Sequence, residues 1–156
     1  MNKKLIKPLL VCVGFILVLL GFIFFALPFL KETLLGTTSS GYEVAFGNNP
    51  EALILIAWIL SLLLLLASLC VCALSVMELL GKKSPVKLEK MMKLILAGAL
   101  VLVGFLVFLF ALLTKAVTYG NNEYIVLGLG AVLTAIFTLL GSAAIGFGLI
   151  AEDVLK

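Results

Sequence analysis

Four long stretches of the chain, residues 5–30, 52–77, 94–114 and 124–151, are apolar, with Lys7 the one charged residue inside them. Each reaches the roughly 20 residues that a helix needs to cross about 30 Å of hydrocarbon. Leu, Ile, Phe and Val each favour insertion by about 0.3–0.6 kcal/mol, so a run such as residues 62–66 enters a bilayer without help. Backbone groups find no water there, which leaves the helix as the spanning form. The ten-residue alternation of a membrane β-barrel is missing. Composition agrees: 64% of the 156 residues are hydrophobic and 12% charged, against about half and about a quarter in a soluble domain. The excess has to face lipid. The sequence predicts one all-α domain, an integral membrane antiparallel four-transmembrane-helix bundle.

The lysines orient it. Arg and His are absent, and nine of the eleven Lys (Lys3, Lys4, Lys7, Lys82, Lys83, Lys87, Lys90, Lys93 and Lys156) fall on one side of a four-span arrangement. Lys31 and Lys115 fall on the other, with Glu32, Glu43, Glu51 and Glu123. Lys in short loops stays cytoplasmic, so both termini and the basic loop 78–93 are expected inside, in the cell membrane. Lys82, Lys83, Lys87, Lys90 and Lys93 are expected to lie on anionic headgroups, each worth about 1 kcal/mol. Docking of an acidic partner or of a specific lipid is the sharper reading of the same loop. Nucleic acid is not an expected partner, since no soluble domain presents a basic surface.

The first stretch follows lysines as a signal peptide would, but its apolar run is too long and no small-residue cleavage pattern follows Ala26, so it reads as a retained anchor. Pro28 should end or kink it. Asn49-Pro50-Glu51 marks the start of the second span, Ser84-Pro85 that of the third helix and Asn122-Glu123 that of the fourth, each setting a cap, a proline or an acid at the positive end of the helix dipole. The loop 31–51 is the longer outer segment. Its residues 42–46 alternate in part and suit a short strand or an aromatic-anchored piece at the headgroups, with Tyr42 and Phe46 as contact residues. The loop reads as a cap on the bundle or as a surface for a partner.

Lipid tails are as apolar as Leu, so membrane helices associate by close packing of small residues and some hydrogen bonds. Small residues recur here in sevens: Gly14 and Gly21; Ser61, Ser68 and Ser75; Ala97, Gly104 and Ala111; Thr134, Gly141 and Gly148. That period keeps one seam facing a partner in left-handed packing. The fourth span carries a second line at intervals of four, Gly130, Thr134, Thr138, Ser142 and Gly146, and as the least oily span it should be the most enclosed. Its hydroxyls either bond back to carbonyls of their own helix or line a narrow polar path or a lipid headgroup crevice.

Signs of catalysis are missing. No carboxylate sits deep in a span to carry protons, no His or spaced thiol pair offers a metal site, and no base accompanies Ser61, Ser68 or Ser75. Cys70 and Cys72 point about 200° apart on a helix, and with Cys12 they read as small apolar packing residues rather than as a redox or metal site. No cofactor is expected.

The order of spans and loops is similar to that of claudin-like and other tetraspan proteins, in topology only. The loop 31–51 carries neither the Trp nor the paired Cys of the claudin signature, and Trp58 falls inside the second span, so no claudin residue or junctional role carries over. Ala26-Leu27-Pro28-Phe29, followed by Gly41-Tyr42-Glu43-Val44-Ala45-Phe46-Gly47, resembles small four-span proteins of low-GC Gram-positive bacteria and their relatives. That resemblance implies no activity. The leading expectation is a non-enzymatic scaffold or accessory protein that packs laterally against itself or another membrane protein through the small-residue seams and the outer loop. A small oligomeric channel or transporter is the alternative, and a lipid-active enzyme the second.

Overall fold

The computed structural model of the protein describes residues 3–82, 89–120 and 122–154. It is mostly helical. In chain order come α1 (Lys3–Ile23), a 3₁₀ turn (Phe24–Ala26), strands β1 (Pro28–Glu32) and β2 (Thr38–Ser40), a short helix α2 (Gly41–Phe46), α3 (Ala52–Leu79) and α4 (Lys90–Thr114). A π-helical turn (Lys115–Tyr119), β3 (Ile125–Leu127) and α5 (Leu129–Val154) follow. Four helical segments are long and apolar enough to cross a membrane. They pack together in a ring in which α1 and α4 each lie between α3 and α5.

The inward stripe of three helices follows a strict three-then-four spacing. On α1 it runs Lys7, Val11, Gly14, Val18, Gly21 and on to Phe25 in the 3₁₀ turn; on α3 Ile54, Ala57, Ser61, Leu64, Ser68, Val71, Ser75; on α4 Ala97, Leu100, Gly104, Val107, Ala111, Thr114. Such spacing keeps a seam two residues wide turned toward its neighbours. The remaining faces are also apolar: Leu63, Leu66 and Leu69 of α3 and Ile95, Leu102 and Phe105 of α4 are exposed. The fourth long helix differs. Half of its membrane-length apolar stretch is buried (50%), against 28%, 33% and 28% for the other three.

The end of α3 shows how sequence sets a boundary. Gly81 adopts φ +70°, its N–H reaches the Glu78 carbonyl at 3.1 Å, and the Lys82 N–H reaches that of Met77 at 3.1 Å. This is the paired closure of a Schellman motif, which requires a left-handed residue after the last helical turn and so favours glycine.

The other end of the ring carries a three-stranded sheet that the sequence does not announce. β1 pairs antiparallel with β2 (Leu30 opposite Ser39, Lys31 opposite Thr38) and with β3 (Leu30 opposite Leu127, Glu32 opposite Ile125), in the order β2-β1-β3. The all-α expectation is thus corrected by a small sheet. The first apolar stretch stops being helical at Ala26, because Leu27, ahead of Pro28, is extended (φ −81°, ψ 163°), as a residue before proline prefers. The fourth helix starts at Leu129 rather than after Asn122-Glu123. The Asn122 side chain instead accepts from the Tyr124 N–H at 3.1 Å in a local turn. Gly128 donates its N–H to the Phe29 carbonyl at 2.7 Å and leaves no room for a Cβ against Pro28.

Residues 42–46 are helical, not extended. Ser40 and Glu43 form a complete capping box, with the Ser40 N–H on the Glu43 carboxylate at 2.7 Å and the Glu43 N–H on Ser40 Oγ at 3.3 Å. Reciprocal bonding of this kind satisfies two helix-end donors at once and outweighs weak alternation. The expected start of the third helix near Pro85 lies outside the described residues. α4 is described from Lys90, with Glu89 extended ahead of it.

Candidate functional site

α5 is clasped between glycines of two neighbours. A Cβ on Gly14 would stand 2.7 Å from the Gly141 carbonyl oxygen, and one on Gly141 would stand 2.8 Å from that of Gly14, so α1 and α5 touch backbone to backbone. Gly148 meets Val11 on the same side, while Gly146 meets Val101 of α4, and Gly104 of α4 leaves the room that the Ser142 side chain fills. The line of sevens on α5 thus faces α1. Ser142 and Gly146, from the line of fours, face α4.

The hydroxyls of this helix are sealed. Thr134, Thr138 and Ser142 are each 0% exposed. Thr134 Oγ1 donates across to the Gly21 carbonyl at 3.0 Å, whereas Ser142 Oγ bonds back to Leu139 of its own helix at 2.9 Å. Thr138 Oγ1 has no hydrogen-bond partner. On α3, Ser61 and Ser68 likewise bond back, to Trp58 and Leu65 at 2.8 Å each.

Every packing position singled out in the sequence, Gly14, Gly21, Ser61, Ser68, Ala97, Gly104, Ala111, Gly130, Thr134, Thr138, Gly141, Ser142, Gly146 and Gly148, is buried within the one chain. Helices of the same chain thus occupy these seams.

The polar end of the bundle was missed in the sequence. Lys7 is 5% exposed and forms an ion pair with Glu78 of α3. Ser75 and Lys93 join them around a cavity of about 10 Å³ that Val71, Leu74 and Leu149 close. The signal was available. Each charged residue continues its helix's inward stripe by one step: Lys7 before Val11, Glu78 after Ser75, Lys93 before Ala97. A charge held this far from water is costly unless paired, and the pair ties the start of α1 to the end of α3. Lys7 therefore serves an internal contact as well as any part in orientation.

Of the lysines assigned to anionic lipid, Lys82 and Lys90 are exposed and Lys93 is half-buried. Lys83 and Lys87 lie outside the described residues. At the capped end, Tyr42 is half-buried with its ring 6.2 Å from that of Phe25, and Phe46 is exposed with its ring edge-on to Trp58 at 4.9 Å. Phe25 and Phe29 stack at 4.9 Å beneath them. Tyr119 donates to the Glu51 carboxylate at 3.1 Å and lines a cleft of about 110 Å³ with Glu32, Thr37 and Ser39.

Between Cys12 of α1 and Cys72 of α3 the two Sγ atoms lie 3.5 Å apart. In the sequence Cys70 and Cys72 stand two residues apart on one helix, and nothing local to them points to Cys12. Cys70 is exposed. No protein-family model matches the chain, and neither do curated proteins or solved structures.

Proposed function

We propose that the four long helices cross the bilayer as an antiparallel, left-handed bundle in the cell membrane, with both termini and the basic loop in the cytoplasm, and that the protein is a non-enzymatic scaffold or accessory component acting by lateral contact. One observation carries the choice over a channel. The hydroxyl row of α5, which a polar path would use, is 0% exposed at Thr134, Thr138 and Ser142 and is filled from both sides by α1 and α4.

Lateral contact then falls to surfaces the chain leaves open. These are the apolar outer faces of the helices and the cap, where Leu34 and Leu35 at the tip of the β1–β2 hairpin are 66% and 74% exposed. Two neighbouring exposed leucines on a hairpin tip suit contact with another apolar surface.

The test is single-cysteine scanning at Thr134, Thr138 and Ser142 in liposomes, in a background without the native thiols, together with ion-flux assays and gentle-detergent capture of associated proteins. The expected result is no labelling by a charged aqueous thiol reagent, no flux, and recovery of a membrane partner or a self-associated form. Labelling at these positions with accompanying flux overturns the reading in favour of a channel.

A further inference from the structure

We propose that Cys12 and Cys72 are a membrane-embedded modification site, a dithiol that lipid-soluble quinones oxidise to an interhelical disulfide. This rests on the membrane reading above. The two Sγ atoms stand 3.5 Å apart on different helices, and a disulfide needs them at about 2.05 Å. Closing the bond brings the two sulfurs about 1.5 Å nearer. Cys12 also lines a groove of about 380 Å³ with Leu5, Pro8, Leu9, Val76 and Leu79. All the other lining residues are apolar, so Cys12 is met from the hydrocarbon side and not from water.

This placement selects the oxidant. Aqueous reductants and oxidants of the cytosol set the state of exposed thiols, but ionic, hydrated molecules do not enter hydrocarbon. A quinone dissolves there and accepts two electrons and two protons, which are what a dithiol releases. The two Sγ–H bonds break, one Sγ–Sγ bond forms, and the quinone leaves as its hydroquinone. The product fixes α1 to α3 near the Lys7–Glu78 ion pair and encloses the chain between them, with β1, β2 and α2, in a covalent loop. Cys70 lies two residues from Cys72 but outside this contact, and so is an internal control.

The experiment uses the full chain, fully reduced, in lipid nanodiscs. It is exposed to a fully substituted benzoquinone with a decyl tail, which has no ring C–H at which a thiol can add. Intact mass and peptide mapping should show loss of two hydrogens, a Cys12–Cys72 cross-link, and hydroquinone equimolar with disulfide. Cys70→Ser should behave as wild type, and Cys12→Ser and Cys72→Ser should lose the reaction.

Copper–phenanthroline serves as a forcing oxidant. If it closes the pair and the quinone does not, the quinone assignment is overturned. If neither closes it, or if Cys70 is the residue linked, the site itself is overturned. Alkaline extraction of native membranes tests the membrane reading separately, because release of the chain by alkali defeats that reading whatever the thiols do.

Discussion

Thr134 and Thr138 sit one turn apart on the same helix, both fully buried, yet they differ in what their hydroxyls gain. Thr134 Oγ1 reaches the Gly21 carbonyl at 3.0 Å, while Thr138 Oγ1 is unpartnered. Hydrogen bonds between membrane helices are worth about 0.6–1.7 kcal/mol, and a buried polar group without a partner is a cost. Thr134→Val should therefore destabilise the protein by about 1 kcal/mol, and Thr138→Val should be neutral or stabilising. Equilibrium unfolding in mixed micelles checks this, and an equal loss in both variants would sink the distinction.

The Lys7–Glu78 pair is unequal in a different way, since the Lys7 side chain is 6% exposed and that of Glu78 43%. Taking a carboxylate away from a buried ammonium is costly, whereas an apolar side chain in place of the ammonium leaves behind only a half-exposed carboxylate. Glu78→Gln is expected to cost about 1–2 kcal/mol, discounted for the exposure of the carboxylate, and Lys7→Met less. The reverse order of melting temperatures would show that Glu78, not Lys7, is the member held out of water.

At the scale of elements, glycine position decides more than glycine content. Gly98 and Gly104 share α4, but a Cβ on Gly98 meets nothing within 4 Å, whereas Gly104 is filled by the Ser142 side chain. Gly104→Leu and Gly141→Leu should each cost about 3 kcal/mol or more through overpacking. Gly98→Leu should leave the melting temperature in detergent unchanged. If Gly104→Leu melted with the wild type, the close approach of α4 and α5 would be refuted.

The long helices and their inward stripes were legible in the sequence because the signal is local and repeated: apolar length for the helix, sevens for the seam. The sheet was not. Phe29 and Leu30 read as the end of an oily stretch, and the pairing of β1 with Ile125–Leu127 closes across about a hundred residues of chain, so no local stretch holding either segment reveals it. Ser40 and Glu43 did carry a local sign of α2, the spacing of a capping box, but residues 42–46 drew attention to alternation instead. The Lys7–Glu78–Lys93 meeting point lay between these cases. It followed from extending each stripe one step past its last apolar member, yet a lysine near a helix start is ordinarily read as a headgroup contact.

At the scale of the whole molecule the two ends are chemically distinct, and that distinction should fix how the protein sits. One end gathers Lys7, Glu78 and Lys93, with Lys82 and Lys90 exposed nearby. The other gathers the sheet, α2 and the hairpin tip, where Leu35 is 74% exposed. Moving the lysines of the basic end across a bilayer opposes the preference that keeps Lys cytoplasmic, and the cap's paired strands are stable only outside hydrocarbon or buried against protein. In a background carrying Cys12→Ser, Cys70→Ser and Cys72→Ser, the added substitution Leu35→Cys should react with a charged, membrane-impermeant maleimide in intact cells. Lys82→Cys should react only after the cells are opened. Both positions are exposed side chains near a helix or strand end, so poor accessibility within the fold does not account for a difference between them. Labelling of Lys82→Cys in intact cells, or protection of Leu35→Cys there, inverts the orientation. Labelling of both in intact cells defeats the four-span path itself, because α3, the long helix between the two positions, would then not cross the bilayer.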